Sequence, residues 1–295
     1  MAFKSLQLLF LVLVTIASHV SSKHNPILSP QRLYGCRKGD NVEGIHSIKK
    51  YLQRYGYLSH NTSIDSHIIE LNSNKFDDSL ESAIKLYQKW SHLNVSGILD
   101  QETLDQMFKP RCGVRDVFKF NSNKNLEDDL EMSSHYTLFP GNLKWPDYKR
   151  HLTYVFTNNF PVDFVPSVTE AMARWAAQSL FTFSEASDAQ SADINISFQI
   201  KDHADGLPFD GPGGVVGHAF APTDGRLHLD GDDTWSAGME VQKVNVMNVA
   251  LHELGHVLGL AHSTLPQAVM WPYIDSNALK NLNDDDIAGL HALYP

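Results

Sequence analysis

His252-Glu253-Leu254-Gly255-His256-Val257-Leu258-Gly259-Leu260-Ala261-His262 is the stretch on which the reading of this chain turns. Residues four apart on a helix share a face, so His252 and His256 can aim their imidazoles at one ion. Apolar residues at Val246, Ala250, Leu254 and Val257/Leu258 predict a helix from about Asn245 to Leu258, its stripe on a core and its histidines toward a cleft. Gly259 can adopt a positive φ, which ends that helix and swings the chain so that His262 becomes a third ligand. Three protein ligands leave a fourth position for water, which marks a catalytic rather than a structural zinc. Glu253, next to the first ligand, is placed to act as general base on that water once the metal has acidified it. The pair of histidines alone is a modest signal; the eleven-residue form with its glycine and third histidine is a specific one. Met270, in Ala268-Val269-Met270-Trp271-Pro272, follows the third ligand by eight residues. A lone methionine is usually core packing, but here it fits a turn beneath the metal.

Around this centre the pattern is mixed α/β from about Tyr136 to the C-terminus. Leu152 to Thr157 and Ile194 to Ile200 read as strands, and between them an amphipathic helix carries Val168, Ala171, Trp175 and Leu180. The Gly- and Asp-rich stretch 203–235 holds short β-like pieces at Val215–Ala221 and Arg226–Leu229, and a last helix begins near Asn283. Upstream, Ile45, Ile48, Leu52 and Tyr55, then Leu80, Ala83, Ile84 and Tyr87, recur at helical spacing, with Asp100 as the N-cap of a third short helix. The expected division is a signal peptide over 1–22, an N-terminal segment over 23–39, a helical domain over 40–112, a linker over 113–135 and a catalytic domain over 136–295. The linker reading rests on the polar run Asn121 to Ser134, which has no periodic apolar residues and is open to proteolysis.

Lys4, the short apolar run Leu8 to Ile16 and the small residues Val20-Ser21-Ser22 carry the signal-peptide reading. That run is too short to span a bilayer, and the chain closes on Ala292-Leu293-Tyr294-Pro295 without an anchor pattern. A secreted, extracellular protein in the matrix or cell-wall space is therefore expected, as a monomer. A net charge of -10 over 295 residues argues against nucleic acid or anionic membrane as the partner. Glycosylation is expected at Asn61 and Asn94, in polar loop-like contexts, and not at Asn195, which falls inside a strand. The two cysteines, Cys36 and Cys112, leave two readings open: a disulfide between them, as an oxidising compartment favours, or a free Cys112 with another use.

Together these residues resemble the matrixins, from about residue 36 to the end, and most closely the short plant-type members without a hemopexin-like repeat. The resemblance implies an α/β (α+β) metzincin catalytic domain with a twisted mixed sheet and three helices, preceded by a small all-α peptidoglycan-binding-like prodomain. It implies that Pro110-Arg111-Cys112-Gly113-Val114-Arg115-Asp116 is a cysteine switch, whose thiolate takes the zinc's fourth position and displaces the attacking water. Arg115 stands where many relatives have Pro, which leaves the loop less rigid. His203, Asp205, His218 and His228 match a structural zinc site with no open position, and Asp210, Gly211, Gly213, Val215, Asp230 and Asp233 match a calcium site of carboxylates and carbonyls. Two Zn2+ per chain and Ca2+ are the cofactors so implied. The mature chain is expected to start near Tyr136, its new amine pairing with Asp285 or Asp286, although Asp284 to Asp286 also suit a helix N-terminus by charge alone. Pro272-Tyr273-Ile274 is expected to wall the pocket after the scissile bond, and Leu251, Val269 and Ile274 point to an apolar side chain there.

The activity this implies is hydrolysis of internal peptide bonds in extracellular proteins, after an activating protease has cut the linker. Two rivals come from other classes: a non-catalytic binding module with a structural zinc, which the intact Glu253 argues against, and a zinc esterase or amidase, which a casein assay separates.

Overall fold

The computed structural model of the chain describes residues 30–58, 71–118, 135–157, 160–275 and 278–295. The signal-peptide reading, the Asn61 sequon and the polar run 121–134 lie outside the described residues. No helix among those described is long and apolar enough to cross a membrane.

The N-terminal part is helical: α1 (Pro30–Leu33), α2 (Ile45–Arg54), α3 (Asp78–Trp90) and α4 (Gln101–Met107). Side-chain caps start the last two. Asp77 accepts from Leu80 N at 2.8 Å and Asp100 from Thr103 N at 2.9 Å. Ile45, Ile48, Leu52, Leu80, Ala83, Ile84 and Tyr87 are all buried in one cluster, as their spacing predicts. Leu33 and Cys36 join that cluster, so the described part of 23–39 packs into the helical domain. So do Trp271 and Tyr273, from the far end of the chain.

The C-terminal part is built on a six-stranded sheet in the order β1-β5-β6-β4-β2-β3. Its strands are β1 (Arg111–Cys112), β2 (His151–Phe156), β3 (Thr182–Glu185), β4 (Ile194–Gln199), β5 (Val215–Ala219) and β6 (Arg226–Asp230). Among its described strand pairs, β5–β6 is antiparallel and the others are parallel. A short ladder joins β7 (Trp235–Ser236) to β8 (Val244–Asn245). Helices α5 (Val165–Ala177), α6 (Val246–Val257) and α7 (Asp284–Leu293) complete it. Trp175 on α5 is fully buried, and its indole N–H donates to Leu251 O on α6 at 2.8 Å, locking the two helices. Leu180 departs from the sequence reading: α5 stops at Ala177, where the Trp175 carbonyl accepts from both Gln178 N at 3.1 Å and Ser179 Oγ at 2.8 Å. Leu180 therefore projects outward and is 72% exposed.

The edge strand β1 belongs in sequence to the helical part and in space to the catalytic sheet. It pairs in parallel with β5, Arg111 opposite Val215 and Cys112 opposite Gly217. That pairing delivers residues 110–116 to the metal centre.

Candidate metal centre

Helix α6 is capped by Asn245, whose side chain accepts from Asn248 N at 3.0 Å, and every residue from Val246 to Val257 is buried. The histidine face is thus covered as completely as the apolar stripe. Gly259 has φ +106, and a Cβ there would stand 2.4 Å from Leu143 O, so only glycine turns the chain here. The turn carries Leu260 and His262 back toward the helix.

Each of the three imidazoles is oriented through Nδ1. His252 Nδ1 donates to Val269 O at 2.7 Å, His256 Nδ1 to Leu260 O at 2.8 Å, and His262 Nδ1 to Asp116 Oδ1 at 2.7 Å. Every Nε2 is left as an acceptor pointing inward. Nε2 of His256 and of His262 face each other at 3.2 Å, and the buried Nε2 of His252 has no hydrogen-bond partner. Cys112 Sγ lies 3.4 Å from His256 Nε2. The four ligand atoms of Cys112, His252, His256 and His262 all lie within 4.8 Å of one another. Three convergent lone pairs without a proton between them suit a cation and little else. Burial keeps His252 and His256 well below the usual imidazole range and lowers His262, so the rings are neutral, as ligands must be. Burial and the neighbouring Glu253 carboxyl raise the Cys112 thiol well above its ordinary range, so ionising it here calls for a positive charge.

Glu253 is wholly buried, its carboxyl oxygens have no hydrogen-bond partner apart from the neighbouring Cys112 thiol, and burial pushes its pKa up to about 8. Met270 packs directly under the helix, since a Cβ on Gly255 would come within 2.2 Å of its sulfur. Asp286 holds the turn, accepting from Val269 N at 2.8 Å and Met270 N at 3.0 Å. Its neighbour Asp285 instead accepts from Tyr136 N at 2.9 Å. Of Asp285 and Asp286, it is Asp285 that stands beside Tyr136.

Residues 110–116 fill the cleft between two walls. Arg111 N donates to Gly214 O at 2.8 Å and Gly113 N to Gly217 O at 2.7 Å on one side. On the other, Cys112 N donates to Pro272 O at 2.8 Å and Ile274 N to Pro110 O at 2.9 Å. Arg111 and Asp116 form a buried ion pair at 2.6 Å, while Arg115 is exposed. Burial alone would raise the Asp116 carboxyl, but Arg111 and His262 outweigh it and hold it below its usual range. Trp271 stacks on Trp90 with ring centres 5.1 Å apart, and Tyr273 meets Tyr87 through their hydroxyls at 2.7 Å. The expected substrate wall therefore lies under the helical domain, with Leu251 and Val269 buried in the core behind it. Cys36 and Cys112 are both free: the first sits in the helical core, its sulfur 3.7 Å from Arg32 O.

His203, Asp205, His218 and His228 form a second cluster with ligand atoms within 4.8 Å. Asp205 Oδ2 is 2.8 Å from Nε2 of both His203 and His218, and 2.9 Å from His228 Nδ1. Burial lowers His218 to about 4, again a neutral ring. Asp210, Asp230 and Asp233 do not gather as tightly. Asp233 Oδ1 accepts from Gly213 N at 2.7 Å and Asp210 Oδ1 from Val215 N at 3.0 Å. One oxygen each of Asp230 and Asp233 is buried without a partner, and burial pushes the two carboxyls up to about 6 and about 7. Such carboxylates ask for a cation. Asn94 is exposed, and Asn195 lies in β4 opposite Arg226.

A family model described as matrixin matches residues 144–295. The chain belongs to the matrixins. It is a zinc metalloendopeptidase, and a second model, a putative peptidoglycan binding domain, matches residues 41–107 of this matrixin. Its relatives include metalloendoproteinase 1 of Glycine max, 41% identical over 87% of this chain and 83% of that one. Metalloendoproteinase 5-MMP of Arabidopsis thaliana is 38% identical over 89% of this chain and 74% of that one. Stromelysin-1 of Rattus norvegicus is 36% identical over 88% of this chain, which spans about half, 51%, of that longer protein.

Two features of the centre escaped sequence reasoning. Asp116 was part of the quoted motif, but its bond to His262 spans 146 residues and leaves no local signal. The burial of Trp271 and Tyr273 against Trp90 and Tyr87 is equally non-local.

Proposed function

We propose that this matrixin is a secreted precursor whose catalytic zinc is held by His252, His256 and His262 and blocked by Cys112, with Glu253 as general base. The observation that carries this reading is the convergence of three Nδ1-anchored imidazoles on one point beside a buried carboxyl and a buried thiol. When bound, zinc supplies a Lewis acid that polarises a peptide carbonyl and acidifies water. Glu253 then takes a proton from the attacking water and hands it to the departing amine. The peptide would lie where residues 110–113 lie now, between the Gly214–Gly217 edge and Pro272–Ile274. Cutting the 113–135 linker and releasing the helical domain would then vacate the cleft. The freed amine near Tyr136 would meet Asp285, which already accepts from Tyr136 N. The second zinc at His203, Asp205, His218 and His228, and calcium at Asp210, Gly211, Gly213, Val215, Asp230 and Asp233, would brace the loop that precedes and flanks β5. The leader over 1–22 directs the precursor to the extracellular space, where other proteins are its substrates.

A chain trimmed to about residue 136 is expected to digest casein, and a chelator to abolish that digestion, with zinc restoring it. Equal digestion with and without chelator would sink the proposal, and no digestion under any condition would favour the non-catalytic module.

A further inference from the structure

We propose that Asp116 is a positioning residue for the metal centre of the precursor: through His262 it strengthens the grip on the ion, and the grip weakens when the prodomain leaves. This rests on the reading that the three histidines hold zinc.

The three imidazoles are not oriented alike. Val269 O and Leu260 O, which hold His252 and His256, are backbone atoms of the catalytic domain and remain after activation. The acceptor for His262 is a carboxylate that lies N-terminal to the 121–134 run and departs with the prodomain. Asp116 is itself fixed on every side. Its Oδ1 accepts from Arg111 Nη2 at 2.6 Å as well as from His262, and its Oδ2 accepts from Tyr57 OH at 2.7 Å. Its backbone N–H donates to Tyr55 O at 3.1 Å. Apart from His262, all of these partners belong to the helical part. The side chain is 0% exposed, so no water competes for the imidazole.

An ion pair with Arg111 would account for Asp116 if the residue served only to shape the loop. It does not account for the shared oxygen, which also receives the His262 N–H. A carboxylate on Nδ1–H fixes the tautomer and raises the basicity of Nε2 more than a neutral carbonyl does, and loss of such a partner typically costs about 10–100-fold in metal affinity. The prodomain therefore acts on the centre twice, through the thiol in the fourth position and through the third ligand from behind. Its release frees the reactive corner and loosens the ion in the same event.

The test uses the full-length precursor loaded with cobalt, whose thiolate-to-metal absorption reports whether Cys112 is in place. For Asp116→Asn, that band is expected to persist while the ion is lost to excess chelator about tenfold faster than from the wild-type precursor. An unchanged rate of loss with the band intact would overturn the proposal. Disappearance of the band would also overturn it, assigning Asp116 to docking of the loop. A wild-type precursor that takes up no metal would instead overturn the reading of the centre on which this inference rests.

Discussion

Glu253→Gln in the trimmed chain is expected to lower kcat/KM on a peptide substrate by about 10²–10⁴-fold, the usual contribution of a positioned general base, while the zinc content stays unchanged. The substitution keeps the shape of a wholly buried side chain and removes only its ability to take a proton. The only group within reach of its carboxyl in the precursor is the Cys112 thiol, which the trimmed chain lacks, so no structural contact is lost with the charge. Activity assays paired with metal analysis separate the possibilities. Retained activity would show that another group takes the proton; loss of zinc together with activity would show that Glu253 supports the metal rather than the chemistry.

The second large effect concerns latency. In the uncut precursor, Cys112→Ser is expected to raise proteolysis of an added peptide by about 10²–10³-fold. A hydroxyl is a far poorer partner for zinc than a thiolate. Losing one member of a buried charged pair costs roughly 3–5 kcal/mol, and each 1.4 kcal/mol is about tenfold in the closed-to-open ratio. The rise should fall short of full activity. Residues 110–113 would still be held on both sides by Gly214, Gly217, Pro272 and Ile274, and Trp271 would still stack on Trp90. Comparing the uncut variant with the trimmed enzyme measures how much of the block is sulfur and how much is the occupied cleft. A variant as silent as the wild-type precursor would place the whole block in the cleft and refute the thiol's role.

What could be read from the residues was what depends on near neighbours. Helix α6 follows from its apolar spacing, and the positive φ of Gly259 from the need to bring His262 round. Strands β2, β4, β5 and β6 fall within a residue or two of their apolar runs. The helices of the N-terminal part start at the capping aspartate expected for α4 and bury the residues expected for α2 and α3. What escaped was short or remote. Two-residue strands such as β1 and β7 have no periodicity to detect, and β1 forms through remote partners, β5 on one side and Pro272–Ile274 on the other. Both ends of β3, Thr182 and Glu185, are polar and exposed, and no residue of the strand is fully buried, so it carries no core signal. Leu180 looked like one more turn of an apolar face, yet the helix had already been closed by Ser179. Tyr273 was expected in the substrate wall, but its ring, like that of Trp271 beside it, is spent on the helical domain.

The proposed function requires that one ion join residues from both parts of the chain. Its most direct test is a crystal of the intact precursor measured at the zinc absorption edge. An anomalous peak is expected about 2.0–2.1 Å from Nε2 of His252, His256 and His262 and about 2.3 Å from Cys112 Sγ, the distances zinc keeps to nitrogen and sulfur. A peak at the His203 cluster with none at the His252 cluster, or one there touching fewer than three of the imidazoles, would contradict the account.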